Sequence, residues 1–230
     1  MYLRGNFSTS GLVRVLGRWM PREAPAPGQD VAQRLGQWLS VADVITLRAA
    51  HQSIDSPDAA RPARVGPAGT FDVQDALLRV REDLEKAITA REAAAAPEPD
   101  TGYAPYHRRY LEHQRRMAMS IGSLRDRVRQ ALVTASPRLA RLAELDAVLE
   151  RMLGRREQQL LSTVPAFLKQ RFEQLRGQHL GDAGAVSPPG ALPDTFAREF
   201  QEALLAELDL RLQPVTGMIE ALGNDVKQHR

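Results

Sequence analysis

Between Phe196 and Leu222 the apolar residues Phe196, Phe200, Leu204, Leu208, Leu212, Val215, Ile219 and Leu222 recur every three or four positions. That spacing puts all eight on one face of a long helix. A second stripe, Leu139, Leu142, Leu145, Leu149, Met152 and Leu153, opens another long helix upstream. Neither helix buries such a face alone, so the chain has to fold as helices packed on one another. Aromatics make up only 5% of the sequence, and strand-like alternation is missing. The predicted fold is all-α, built of extended helical hairpins or a helix bundle with long, coiled-coil-like helices.

Punctuation divides the chain. A first helix is expected from about Ser8 to Met20, with Leu12, Val13, Leu16 and Met20 inward, ahead of Pro21, Pro25, Pro27 and Gly28. Asp30 and Gln33 have the spacing of a capping box for a helix ending near Ile54. Its Leu35, Trp38, Leu39, Ala42 and Ile45 make it apolar enough to be central. Thr70 or Asp72 is the expected cap of a third helix, which Ala93–Ala96 extend to Pro97. Another helix spans about 105–135. Ser136 and Pro137 then open one predicted to reach about 175, bent at Gly154 and Pro165. Asp194 or Thr195 caps the last helix, which Pro214 should kink. The expected organisation is an N-terminal helical region 1–54, a linker 55–70, a central long-helix region 71–176, a linker 177–193, and a C-terminal helix 194–230 packed on the central region.

Charge is uneven along the chain. Residues 1–103 hold 12 basic and 13 acidic residues, residues 104–176 hold 15 and 7, and residues 177–230 hold 4 and 8. A basic middle beside an acidic tail fits either an anionic partner or two segments that attract each other. Internal pairing is expected, with Arg108, Arg109, Arg115 and Arg116 meeting Glu199, Glu202 and Glu207.

Several chemistries find no support. With no Cys there is no disulfide, thiolate metal site or thiol nucleophile. Arg14 and Arg18 interrupt the first apolar stretch, so no signal peptide is expected. No run approaches the roughly 20 apolar residues of a spanning helix, so no membrane insertion is expected and the expected location is cytoplasmic. No His has a Glu three positions before it, as a di-iron bundle would require. His107 and His113 lie six apart, on different sides of a helix. The Gly-rich stretches lack the Lys-Ser/Thr of a phosphate loop. Carboxylate pairs such as Glu199 with Glu202, or Glu207 with Asp209, read as solvated helix faces. No catalytic residue, cofactor or metal ligand is therefore assigned, and the expectation is a protein that is not an enzyme.

One segment interleaves aromatics with cations: Tyr103, Tyr106, His107, Arg108, Arg109, Tyr110, His113, Arg115 and Arg116, followed by Arg125, Arg127 and Arg129. The mixture suits phosphate contact with base stacking, and equally the Tyr/Arg anchors of a protein interface. Tyr106, Arg108, Arg109, Tyr110, Arg115, Arg116, Arg125 and Arg129 are the candidate contact residues. Protein contact is the leading reading, with nucleic acid as the alternative, since no helix-turn-helix, zinc-finger or RNA-binding motif accompanies the segment.

Three stretches together, Arg34-Leu35-Gly36-Gln37-Trp38-Leu39, Thr163-Val164-Pro165-Ala166-Phe167-Leu168 and Leu205 through Pro214, resemble an uncharacterised family of proteobacterial proteins of about this length. The resemblance covers nearly the whole chain outside the two linkers. It implies a domain of unknown function whose genes lie beside those of envelope proteins of the peptidoglycan-binding or ion-driven motor type. A cytoplasmic accessory partner of an envelope assembly follows from it, and no functional residue transfers. The combined expectation is a non-catalytic helical adaptor or assembly subunit that self-associates through the apolar stripes of its long helices and contacts an unidentified protein partner.

Overall fold

A computed structural model describes residues 10–19, 41–54, 67–90, 102–181 and 191–228. The helices among them are α1 (Gly11–Gly17), α2 (Val41–Ile54), α3 (Pro67–Thr89), α4 (Ala104–Ala135), α5 (Pro137–Leu161), α6 (Val164–Gly181) and α7 (Ala191–Gln228). No strand occurs among the described residues, and the fold is all-α.

The helix ends follow local chemistry. Ser136 accepts from the backbone N–H of Leu139 at 3.3 Å, and Pro137 opens α5, as expected of an N-cap followed by a first-turn proline. The predicted single helix from 137 to 175 is instead two. Gly154 passes inside α5 without interruption, and the break falls at Ser162 and Thr163. Pro165 explains this: it has no N–H to give the carbonyl of Leu161, and its ring crowds that carbonyl in a continuous helix. In the first turn of α6 the missing donor costs nothing. The freed Leu161 carbonyl accepts from Gln114 Nε2 at 3.2 Å, and the Pro165 carbonyl accepts from the Tyr103 hydroxyl at 2.7 Å.

Other boundaries also move. Helix α3 starts at Pro67 rather than at a Thr70 or Asp72 cap, and ends at Thr89. Helix α6 runs to Gly181, and α7 starts at Ala191 and continues through an exposed Pro214. In α1, Leu12 and Val15 are the buried pair while Val13 is exposed. The Asp30–Gln33 capping box, Leu35, Trp38, Leu39 and Ala93–Ala96 lie outside the described residues.

The chain forms two compact units. The first comprises Met1–Pro21, Arg81–Ser120 and Leu161–Leu212, and the second Arg22–Val80, Ile121–Leu160 and Gln213–Arg230. In the first unit an aromatic cluster closes around Phe196, which meets Tyr106 edge-on at 4.8 Å and Phe172 at 5.0 Å between ring centroids. Helix α1 lies close enough to α7 that a Cβ on Gly11 would sit 3.8 Å from that of Ala206. The core of the second unit includes Val73, Leu124, Val128, Leu132, Leu139 and Val148, with Val215, Met218 and Leu222.

All eight apolar residues expected on one face of the last helix are buried. The stripe on α5 is not: only Leu139 of its six residues is buried, and the inward line runs instead through Leu139, Ala143 and Asp146. Helix α2, expected to be central, has no buried side chain among those described, and its Val44 and Ile45 are 50% and 64% exposed.

Candidate interaction surface

Helix α4 carries all eight candidate contact residues, and the fold sorts them by direction. Its buried residues Tyr110, His113, Met117, Ile121, Leu124, Val128 and Leu132 follow steps of three and four, so positions between them face outward. Tyr110 is on the buried line. Tyr106 is half-buried against Phe196 and Phe200, the latter at 5.6 Å between centroids. The Tyr110 ring is closed to an external ligand, and the Tyr106 ring is partly taken up by the aromatic cluster.

The Tyr110 hydroxyl donates to Glu207, which is 0% exposed. Gln114 Nε2 reaches the same carboxyl at 3.0 Å, and Arg211, one turn along α7, pairs with it at 2.8 Å. Burial first, and then the Glu207 carboxyl, push the Tyr110 hydroxyl far above its ordinary pKa, which keeps it a donor. Tyr103 is also pushed up by burial. Glu207 was expected on a solvated face with Asp209, and the structure separates the two: Glu207 is buried, and Asp209 pairs with Arg81 at 2.5 Å. A signal existed in the sequence. Glu207 stands in line with Phe200 and Ala203 on the apolar face, with Arg211 four residues on as its counter-charge.

In the second unit, Arg125 and Arg129 share two carboxylates of α5. Arg125 forks onto Asp146 at 2.8 and 2.6 Å and reaches Glu150 at 3.1 Å, while Arg129 contacts Asp146 and Glu150, each at 2.6 Å. Burial alone would raise the Asp146 carboxyl, but the hydrogen bonds and charges of Arg125 and then Arg129 outweigh it and hold it below its ordinary value. Arg127 pairs with Asp72 at 2.6 Å. Arg125 and Arg129 thus tie α4 to α5 and have no free fork for an external anion.

The expected pairing of the basic segment with the acidic tail is replaced by another. Glu199 takes Arg171 in a two-pronged contact at 2.7 and 2.8 Å, and Glu202 takes Arg18 at 3.5 Å. Arg109 donates to the Ala90 carbonyl at 3.1 Å, just past the end of α3, and lies 6.0 Å from the Phe200 ring centroid. Arg108, Arg115 and Arg116 are exposed and make no hydrogen bond or ion pair with the described residues. Met119, one turn on, is 75% exposed.

Among the described residues no group of three His, Asp or Glu side chains is placed to hold a metal. A depression lined by Leu16, Trp19, Phe167, Gln170, Arg171 and Gln174 encloses about 10 Å³, room for one water. No described helix is long and apolar enough to cross a membrane.

A family model described as "Protein of unknown function (DUF3348)" matches residues 2–224 of the 230. The chain belongs to this family. No curated protein and no solved structure matches it.

Proposed function

We propose that this member of a family of unknown function is a non-catalytic helical adaptor or assembly subunit that works through protein–protein contacts, including contacts with its own copies. The observation that carries the reading is helix α2. An isolated helix of its 14 residues is marginal in water, and most helices are held by burying a face. Helix α2 buries no described side chain and instead exposes Val44 and Ile45. Contact with another chain would cover Val44 and Ile45. The stripe on α7, expected to serve self-association, is buried within the single chain and no longer supports that role. The proposed working place is the cytoplasm, beside an envelope assembly.

The experiment is light scattering across concentration on the full chain and on a Val44→Asp, Ile45→Asp variant. The wild type is expected to be at least a dimer and the variant lighter, with the helical circular dichroism signal retained. A wild type that stays monomeric throughout, with a mass indistinguishable from the variant's, overturns the assembly reading.

A second reading, nucleic-acid binding, is favoured by Arg108, Arg115 and Arg116 of α4, which are exposed and have no partner among the described residues. Its aromatic support is reduced, because Tyr110 is buried and Tyr106 is half-buried against Phe196 and Phe200.

A further inference from the structure

We propose that the outer face of α4 from Arg108 to Met119 docks an acidic amphipathic helix of a protein partner. The proposal rests on the adaptor reading and adds to it the chemistry of the partner.

Helix α4 has seven arginines. Arg125, Arg127 and Arg129 are ion-paired, and Arg109 holds the Ala90 carbonyl. Arg108, Arg115 and Arg116 remain, all exposed and all within the first unit. At 100° per residue, Arg108, Glu112, Arg115, Arg116 and Met119 fall within an arc of about 100°, and Arg108 and Arg115 stand about 10 Å apart along the axis. The strip therefore carries three cations, one anion and an exposed thioether. The chain's own acidic helix is not its complement, because Glu199, Glu202, Glu207 and Asp209 each hold a different arginine. Among the described residues no carboxylate of the chain meets Arg108, Arg115 or Arg116.

The composition of the strip separates the classes of partner. A phosphodiester backbone offers only negative charge and would meet repulsion at Glu112, and of the tyrosines of this helix Tyr110 is buried and Tyr106 is half-buried against Phe196 and Phe200. A protein helix meets each feature. Carboxylates two turns apart match Arg108 and Arg115 as planar forks, a Lys between them answers Glu112, and an apolar residue covers Met119, whose flexible side chain adapts to the surface it meets.

The test measures binding of the full chain to a labelled synthetic amphipathic peptide of Leu and Glu with one Lys per two turns. Comparison ligands are the same peptide with Gln for Glu and a short mixed-sequence DNA duplex. The wild type is expected to bind the Glu peptide, more weakly as salt rises. An Arg108→Glu, Arg115→Glu, Arg116→Glu variant should bind it at least about tenfold more weakly, with unchanged circular dichroism and unchanged mass by light scattering. Met119→Gln should also weaken binding, and the Gln peptide should not bind. No binding of the Glu peptide, or equal binding by the triple variant, overturns the proposal. So does tighter retention of the DNA duplex that the triple variant abolishes. An intact assembly through α2 in either case leaves the adaptor reading standing, whereas a monomeric wild type that binds the Glu peptide removes self-association and leaves the strip.

Discussion

Replacing Glu207 by Ala removes the acceptor on which Tyr110, Gln114 and Arg211 converge in the first unit. Arg211 is then left nearly buried without its counter-charge, a defect that typically costs about 3–5 kcal/mol. The Tyr110 hydroxyl loses its partner as well, and one unsatisfied buried polar group adds about 1–3 kcal/mol. Tyr110→Phe alone should cost about 1–2 kcal/mol, because Gln114 and Arg211 still serve the carboxyl. The two changes should not add: once Glu207 is gone the hydroxyl is a liability, so a double-mutant cycle should return a coupling of about 1–3 kcal/mol. Urea denaturation followed by far-ultraviolet circular dichroism measures each value. A third variant, Tyr110→Phe with Glu207→Met and Arg211→Met, replaces the polar set by apolar groups of similar size and should lie within about 1 kcal/mol of the wild type. A loss under about 1 kcal/mol for Glu207→Ala would refute the view that these donors depend on one buried acceptor. A triple variant as unstable as the single one would refute the isostere argument.

Asp146→Asn should cost about 2–4 kcal/mol, since Arg125 would then keep only Glu150, and Arg129 only Glu150 and the exposed Asp126. The Asp146 carboxyl is held below its ordinary value, so its contribution is present above about pH 4 and fades as pH falls through the folded-state value. Thermal unfolding from pH 7 to 3 should accordingly show a shallower acid loss in the Asn variant, and equal slopes would count against the linkage. Leu208→Glu should abolish cooperative folding or cost several kcal/mol, because the site is sealed, whereas Leu149→Glu at a half-buried site should cost far less. Comparable midpoints for these two variants in a thermal scan would show the burial pattern to be wrong.

Apolar spacing made α7 legible because its core face is apolar at nearly every inward position, with Glu207 the exception. The same rule misdirected the reading of α5, where Asp146 occupies an inward position and Leu142, Leu145 and Leu149 are half-buried shoulders. Hydrophobic periodicity weighs side chains one helix at a time. It has no means of knowing that Arg125 and Arg129 on α4 would draw carboxylates inward. Of the apolar residues expected to make α2 central, only Ile45 has a described side chain, and it is 64% exposed. On α4 the residue types of the candidate surface were apparent. Which of them faced outward depended on the direction of Tyr110, and only packing against Phe200 and Glu207 decides that.

The two charged clusters differ in how far along the chain they reach. Arg125 and Arg129 find Asp146 and Glu150 only 17 to 25 residues away, across the one-residue joint at Ser136. Tyr110 and Gln114 find Glu207 across 97 and 93 residues. Closing the longer loop costs about 1.3 kcal/mol more chain entropy, and its contacts arise later in synthesis. On the ribosome the α4–α5 hairpin can form its ion pairs as soon as Glu150 has emerged and Gln114 can reach the Leu161 carbonyl soon after, while the Tyr110 hydroxyl waits for α7. A nascent chain halted before Glu207 is thus a half-locked intermediate, with one end of α4 fastened and the other presenting the apolar line that α7 later covers.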